Sequence, residues 1–115
     1  MARDGCLFCG IVAGDVPADV VRSDDRVVAF RDINPQAPTH VLVIPKEHHA
    51  DVAALAGDAE LLAAVFRTAA EVASAEGVAD GGYRLVTNTG EGAGQTVHHV
   101  HVHLLGGRAL HWPPG

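Results

Sequence analysis

His99-Val100-His101-Val102-His103-Leu104-Leu105 alternates imidazole with aliphatic side chains. Successive side chains of an extended strand point to opposite faces, so His99, His101 and His103 share one face and Val100, Val102 and Leu104 the other. The aliphatic face needs a packing partner. Between Asp58 and Gly77, the residues Leu61, Leu62, Val65, Phe66, Ala69, Val72 and Ala73 recur at helical spacing. Asp58 can cap that segment and Gly77 can close it, which predicts one long helix. Val20–Ser23 and 26–30 flank Asp24-Asp25 as a hairpin, and His40–Ile44, bounded by Pro38 and Pro45, reads as a central strand. Tyr83–Thr87 and Val97–Leu105 supply two more strands. Leu7, Phe8, Ile11 and Val12 mark a short N-terminal helix stopped by Gly14. The expected fold class is α+β: a five-stranded antiparallel sheet with one long helix and a short N-terminal helix, all within one domain over residues 1–115.

Composition narrows the function. Of 115 residues, 48% are hydrophobic and 19% charged, which excludes a disordered chain. Lys+Arg 8 against Asp+Glu 14 gives a net charge of −6, so no basic surface is expected to collect the phosphates of a nucleic acid. Apolar runs such as Val41–Ile44 fall far short of the roughly 20 residues a membrane span needs. Met1-Ala2-Arg3-Asp4-Gly5 lacks the apolar stretch of a secretion signal, and the expectation is a cytoplasmic protein.

Three chemistries compete for the histidine face. The rings could be solvated surface groups, a three-histidine metal centre, or a neutral imidazole nucleophile among neighbours that disfavour each other's protonation. The preceding loop favours the nucleophile. Asn88-Thr89-Gly90-Glu91-Gly92-Ala93-Gly94-Gln95-Thr96 offers glycines whose backbone N–H groups can approach an anion closely, plus an amide and a hydroxyl. A phosphate cradle is thus joined directly to the histidine strand.

Cys6-Leu7-Phe8-Cys9 also has three readings: a redox dithiol, two incidental buried thiols, or half of a zinc site. Zinc requires four ligands, so two histidines would have to complete it.

These motifs together resemble the histidine triad (HIT) family, most closely its Hint branch. The likeness runs through Asp32-Ile33-Asn34-Pro35-Gln36-Ala37-Pro38-Thr39-His40, Val43-Ile44-Pro45-Lys46, Gly94-Gln95-Thr96 to Gly106-Gly107-Arg108, and the ending His111-Trp112-Pro113-Pro114-Gly115. The resemblance implies hydrolysis or transfer at the α-phosphate of adenosine (purine) 5′-phosphoramidates and related adenylates. His101 would carry a covalent nucleotidyl intermediate. His103, Asn88, Thr96 and the Gly94 amide would hold phosphate oxygens, His40 would handle protons, and the backbone around His99 would orient the nucleophile. Asp32 matches the ribose-binding position, and Phe8, Ile11 and Ile33 match the purine pocket. The resemblance completes a structural zinc site from Cys6, Cys9, His48 (or His49) and His99, and implies a homodimer whose tail approaches the partner's active site. His98 is expected to point away from the triad as a structural residue. Runner-up functions are a dinucleoside polyphosphate hydrolase or phosphorylase, a non-enzymatic nucleotide-binding module, and a zinc carrier.

Overall fold

A computed structural model describes residues 3–115; Met1 and Ala2, where the N-terminal stretch begins, lie outside the described residues. The chain forms helix α1 (Leu7–Ala13), strands β1 (Val20–Ser23), β2 (Val27–Arg31) and β3 (Thr39–Pro45), helices α2 (Val52–Leu55) and α3 (Ala59–Ala75), and strands β4 (Tyr83–Val86) and β5 (Val102–Gly106). One five-stranded sheet runs β1-β2-β3-β5-β4, with every neighbouring pair antiparallel. The predicted fold class holds. Among the described residues, no helix is long and apolar enough to cross a membrane.

Local chemistry explains the elements. Asp24 Oδ1 accepts the N–H groups of Arg26 and Val27, at 2.9 Å each, and this ties the β1–β2 turn. Asp58 caps α3 by accepting the Leu61 N–H at 3.0 Å. Cys6 caps α1 with its sulfur, and Gly14, at φ 83°, takes the left-handed conformation that ends it.

Strand alternation in β3 and β5 divides the interior into two. Val41, Val43, Val102 and Leu104 face α3 and join Leu61, Val65, Ala69 and Val72 in the larger core. Leu42 and Ile44 face the other way, where Phe8 of α1 packs with Val28 and Phe30 in a smaller one. His40 and His103 alternate with the α3-facing residues, so these imidazoles lie on the α1 side.

Two sequence expectations need correction. The last strand begins at Val102 rather than Val97, because residues 97–101 form a bend with no place in the ladder. Its hydrogen bonds go elsewhere: the Val100 N–H donates to the His49 carbonyl at 2.7 Å. His98 therefore does not sit on a regular strand. It is exposed beside a cavity that Arg3, Cys6 and His48 also line.

Candidate active site and metal cluster

The three alternating histidines diverge into two sites joined back to back. His99 is fully buried. Its Nε2–H donates to the Pro45 carbonyl at 2.8 Å, which leaves the Nδ1 lone pair facing the cysteines. Nδ1 lies 3.5 Å from both Cys6 Sγ and Cys9 Sγ, and His48 Nδ1 lies 3.3 Å from Cys9 Sγ. All four ligand atoms fall within 4.8 Å of one another. A tetrahedral zinc with Zn–S of about 2.3 Å and Zn–N of about 2.0–2.1 Å separates S and N ligands by about 3.5 Å. The donor set fits such an ion. A buried carbonyl on the far nitrogen of a ligating histidine is also the usual support for metal binding. Burial pushes the Cys9 thiol up, and a bound cation would offset that by favouring the thiolate. His49 is not part of the cluster; its Nε2 meets Glu47 Oε1 at 2.7 Å near the surface.

The same His99 serves the next histidine through its backbone. Its carbonyl accepts the Nδ1–H of His101 at 2.9 Å, so the lone pair of the His101 ring resides on Nε2. His101 is buried, and burial lowers its pKa, which keeps the ring neutral. Phe8 packs edge-on against it with ring centroids 5.0 Å apart. A neutral imidazole with one nitrogen pinned and the other carrying its lone pair is an oriented nucleophile.

His103 has its protonation pattern set by a chain of donors. The Gln36 N–H donates to His40 Nδ1 at 3.0 Å, so His40 carries its proton on Nε2. That nitrogen lies 2.9 Å from His103 Nδ1 and 3.3 Å from Asp32 Oδ2. His103 Nδ1 accepts, which puts the His103 proton on Nε2 and makes that atom a donor. Burial pushes the pKa of His103 down to about 4, and it also lowers that of His40. Asp32, His40 and His103 form a second cluster of metal-ligating types. A metal on His40 Nε2 would require the proton on Nδ1, where the Gln36 N–H already points. The hydrogen bonds favour a proton-ordered chain over a second metal.

The loop elements fall as follows. Val86 of β4 pairs with His103, and the chain leads on to half-buried Asn88. Residues Glu91–Ala93 make one 3₁₀ turn that ends at Gly94, at φ 87°, a conformation favouring glycine. Thr96 is exposed. Gln95 is the residue whose role the sequence did not disclose. It is buried, its Oε1 accepts the Gly90 N–H at 2.9 Å, and its Nε2 donates to the Ala50 and Val97 carbonyls. A Gln inside a glycine-rich run was the available signal. Of the expected base-pocket residues, Phe8 is buried core, Ile11 is half-buried, and Ile33 is fully exposed.

The chain is similar to known proteins over most of its length. The HIT domain family model matches residues 13–110. The chain is 47% identical over 105 residues to the purine nucleoside phosphoramidase of Escherichia coli K12, covering 90% of this chain and 88% of that protein. It is 46% identical over 112 residues to the 14 kDa zinc-binding protein of Zea mays, covering 95% and 87%. The crystal structure of a HIT family hydrolase from Legionella pneumophila superposes with a TM-score of 0.93 at 54% identity, covering 96% of this chain and all of that one.

Proposed function

The chain belongs to the HIT domain family, and on that premise we propose that it is a hydrolase of purine nucleoside 5′-phosphoramidates and related adenylates, working through a covalent nucleotidyl-histidine. The observation that carries this reading is the 2.9 Å bond between His101 Nδ1–H and the His99 carbonyl, because it aims a neutral Nε2 lone pair away from the backbone. The relative named for phosphoramidase activity supports the substrate class.

His101 Nε2 attacks the α-phosphorus, the P–N bond breaks, and the departing amine takes up a proton from solvent, which the attacking water gives back in the second step. Water then cleaves the phosphorus–imidazole bond and returns His101 to its starting state. His103 donates its Nε2–H to a phosphate oxygen, with His40 and the Gln36 amide holding that tautomer. Asn88, Thr96 and the Gly94 amide complete the oxygen-binding set, the kind of fixed donors that stabilise developing charge. Asp32 takes the ribose hydroxyls, and Phe8, Ile11 and Ile33 border the base.

Zinc is the metal proposed for Cys6, Cys9, His48 and His99, with a structural role; the zinc-binding relative and the donor geometry support it. The free cysteines suit a reducing compartment such as the cytoplasm. We also assign a homodimer. The outer side of β4 ends the sheet, and Arg84 on that strand anchors the tail through the His111 carbonyl at 2.8 Å, leaving Trp112 81% exposed. Light scattering should return twice the 11.9 kDa chain mass.

The deciding test is His101→Gly. Turnover of an adenosine phosphoramidate should fall by about 10⁴-fold or more while nucleotide binding persists. Mass spectrometry of quenched wild type should find the nucleotidyl adduct on His101; an active His101→Gly variant refutes the assignment.

A further inference from the structure

The metal-ligating cluster and the proposed nucleophile meet at His99, and the buried segment carrying both lies outside the sheet ladder. Residues 97–101 make no ladder bonds. The bend is fastened at the Val97 carbonyl by Gln95, at Val100 by the His49 carbonyl, and at His99 by the Pro45 carbonyl and the two cysteine sulfurs. From within it, the His99 carbonyl orients His101.

The cysteines themselves differ in access. Cys9 is buried, whereas Cys6 is half-buried and lines an open cavity of about 380 Å³ with Arg3, Asp4, His48 and Thr96. Their sulfurs are within 4.8 Å of each other, and the Cys9 N–H donates to Cys6 Sγ at 3.3 Å. Cys6 borders the cavity and Cys9 is buried beside it.

We propose that Cys6 and Cys9 are an oxidation site through which hydroperoxides switch off His101. The Cys6 thiolate attacks the O–O bond of the peroxide, which gives a sulfenic acid and one water (or alcohol). The Cys9 thiolate then attacks that sulfur, forms the disulfide and expels the sulfenic oxygen as a second water. Two thiolates, one peroxide and two protons thus become one disulfide and two waters, with the sulfurs giving up the two electrons the peroxide takes. Withdrawing two of four ligands discharges the metal and leaves His99 Nδ1 without partners. The bend loses its tie to α1, and His101 loses its fixed carbonyl. This inference rests on the metal and nucleophile roles given above.

The test uses the full-length protein with its metal content measured first. Hydrogen peroxide should release one metal ion per chain to a chromophoric chelator and lower the intact mass by two hydrogens. At the same rate, it should shift the His101 ring ¹⁵N signals and cut turnover at least about tenfold, the scale on which lost support of a metal site acts. Thiol reductant plus metal should restore all four readouts. In Cys6→Ala, peroxide should change neither the ring signals nor the rate, whatever that variant's starting rate. A disulfide that forms and releases metal while His101 signals and turnover stay constant overturns the switch and leaves the metal reading standing. Equal peroxide sensitivity of wild type and Cys6→Ala overturns it as well. A protein isolated with less than about a tenth of an equivalent of metal removes the metal reading itself, and the switch with it.

Discussion

His103 is held neutral by burial next to two other imidazoles, and His40 and His101 both disfavour a charge on it. Its pKa of about 4 in the folded state lies below the ordinary value of 6.5. A proton therefore binds the unfolded chain first as pH falls, and stability drains between 6.5 and 4 while being fully present above 6.5. An ¹⁵N titration should find the His103 ring neutral through pH 5, and thermal midpoints should be flat above pH 6.5 and decline below it. A ring midpoint near 6.5 would mean His103 is solvated. The alternating pattern singled out three histidines that the fold buries or packs against other imidazoles, because side-chain direction on an extended segment is a local property. The tautomers were not legible there. They depend on the Pro45 carbonyl, 54 positions from His99, and on His40, 63 positions from His103. The choice of His48 over His49 is equally tertiary, since both precede the same loop and only one turns inward to the cysteines.

At the level of elements, periodicity located α3 almost to the residue, because its apolar stripe is long and both ends carry their own signals. It overran β5, since His99-Val100 keep the alternation of the strand while their backbone leaves the sheet, and Val97 already falls out of that register. Helix α2 escaped notice because its four residues are shorter than a helical repeat can register; Asp51 capping Ala54 at 2.9 Å is its only local cue. Replacing Asp58 with Ala removes the N-terminal cap of α3 and should cost about 1 kcal/mol in urea denaturation. Its exposed pairing with Arg26 adds little to that. Gly106 makes a stronger case. A Cβ there would meet Val78 Cβ at 2.8 Å, between β5 and the turn after α3. Gly106→Ala should destabilise by about 1–3 kcal/mol through overpacking, and Gly106→Ala with Val78→Ala should recover part of the loss.

For the molecule as a whole, the sheet separates two unequal interiors. Helix α3 is secured by a broad aliphatic core, and the exposed pairs Arg22–Glu71, Arg26–Asp58 and Arg31–Glu76 across its flank add little. Helix α1 has only the smaller cluster around Phe8, so its seven residues bring little apolar area to their own anchoring. A cation held by Cys6, Cys9, His48 and His99 would tie the start of α1, which no strand pairing holds, to the segment after β3 and the bend before β5, which the β3–β5 ladder and the bond from Val100 N–H to the His49 carbonyl already join. Binding to the native state alone adds about 2.7 kcal/mol when free metal exceeds its dissociation constant a hundredfold. For a chain of this size that corresponds to a midpoint shift on the order of 10 °C. Circular dichroism melts with and without a strong chelator should show this difference in wild type and its recovery on adding zinc. Cys9→Ser should melt at one temperature under both conditions. Because α3 and α1 pack on opposite faces of the sheet, the chelated protein should keep its helical signal below the transition, with protection from amide exchange lost first in residues 6–13 and 97–99. Identical wild-type midpoints in chelator and in zinc would show that α1 is anchored by packing alone.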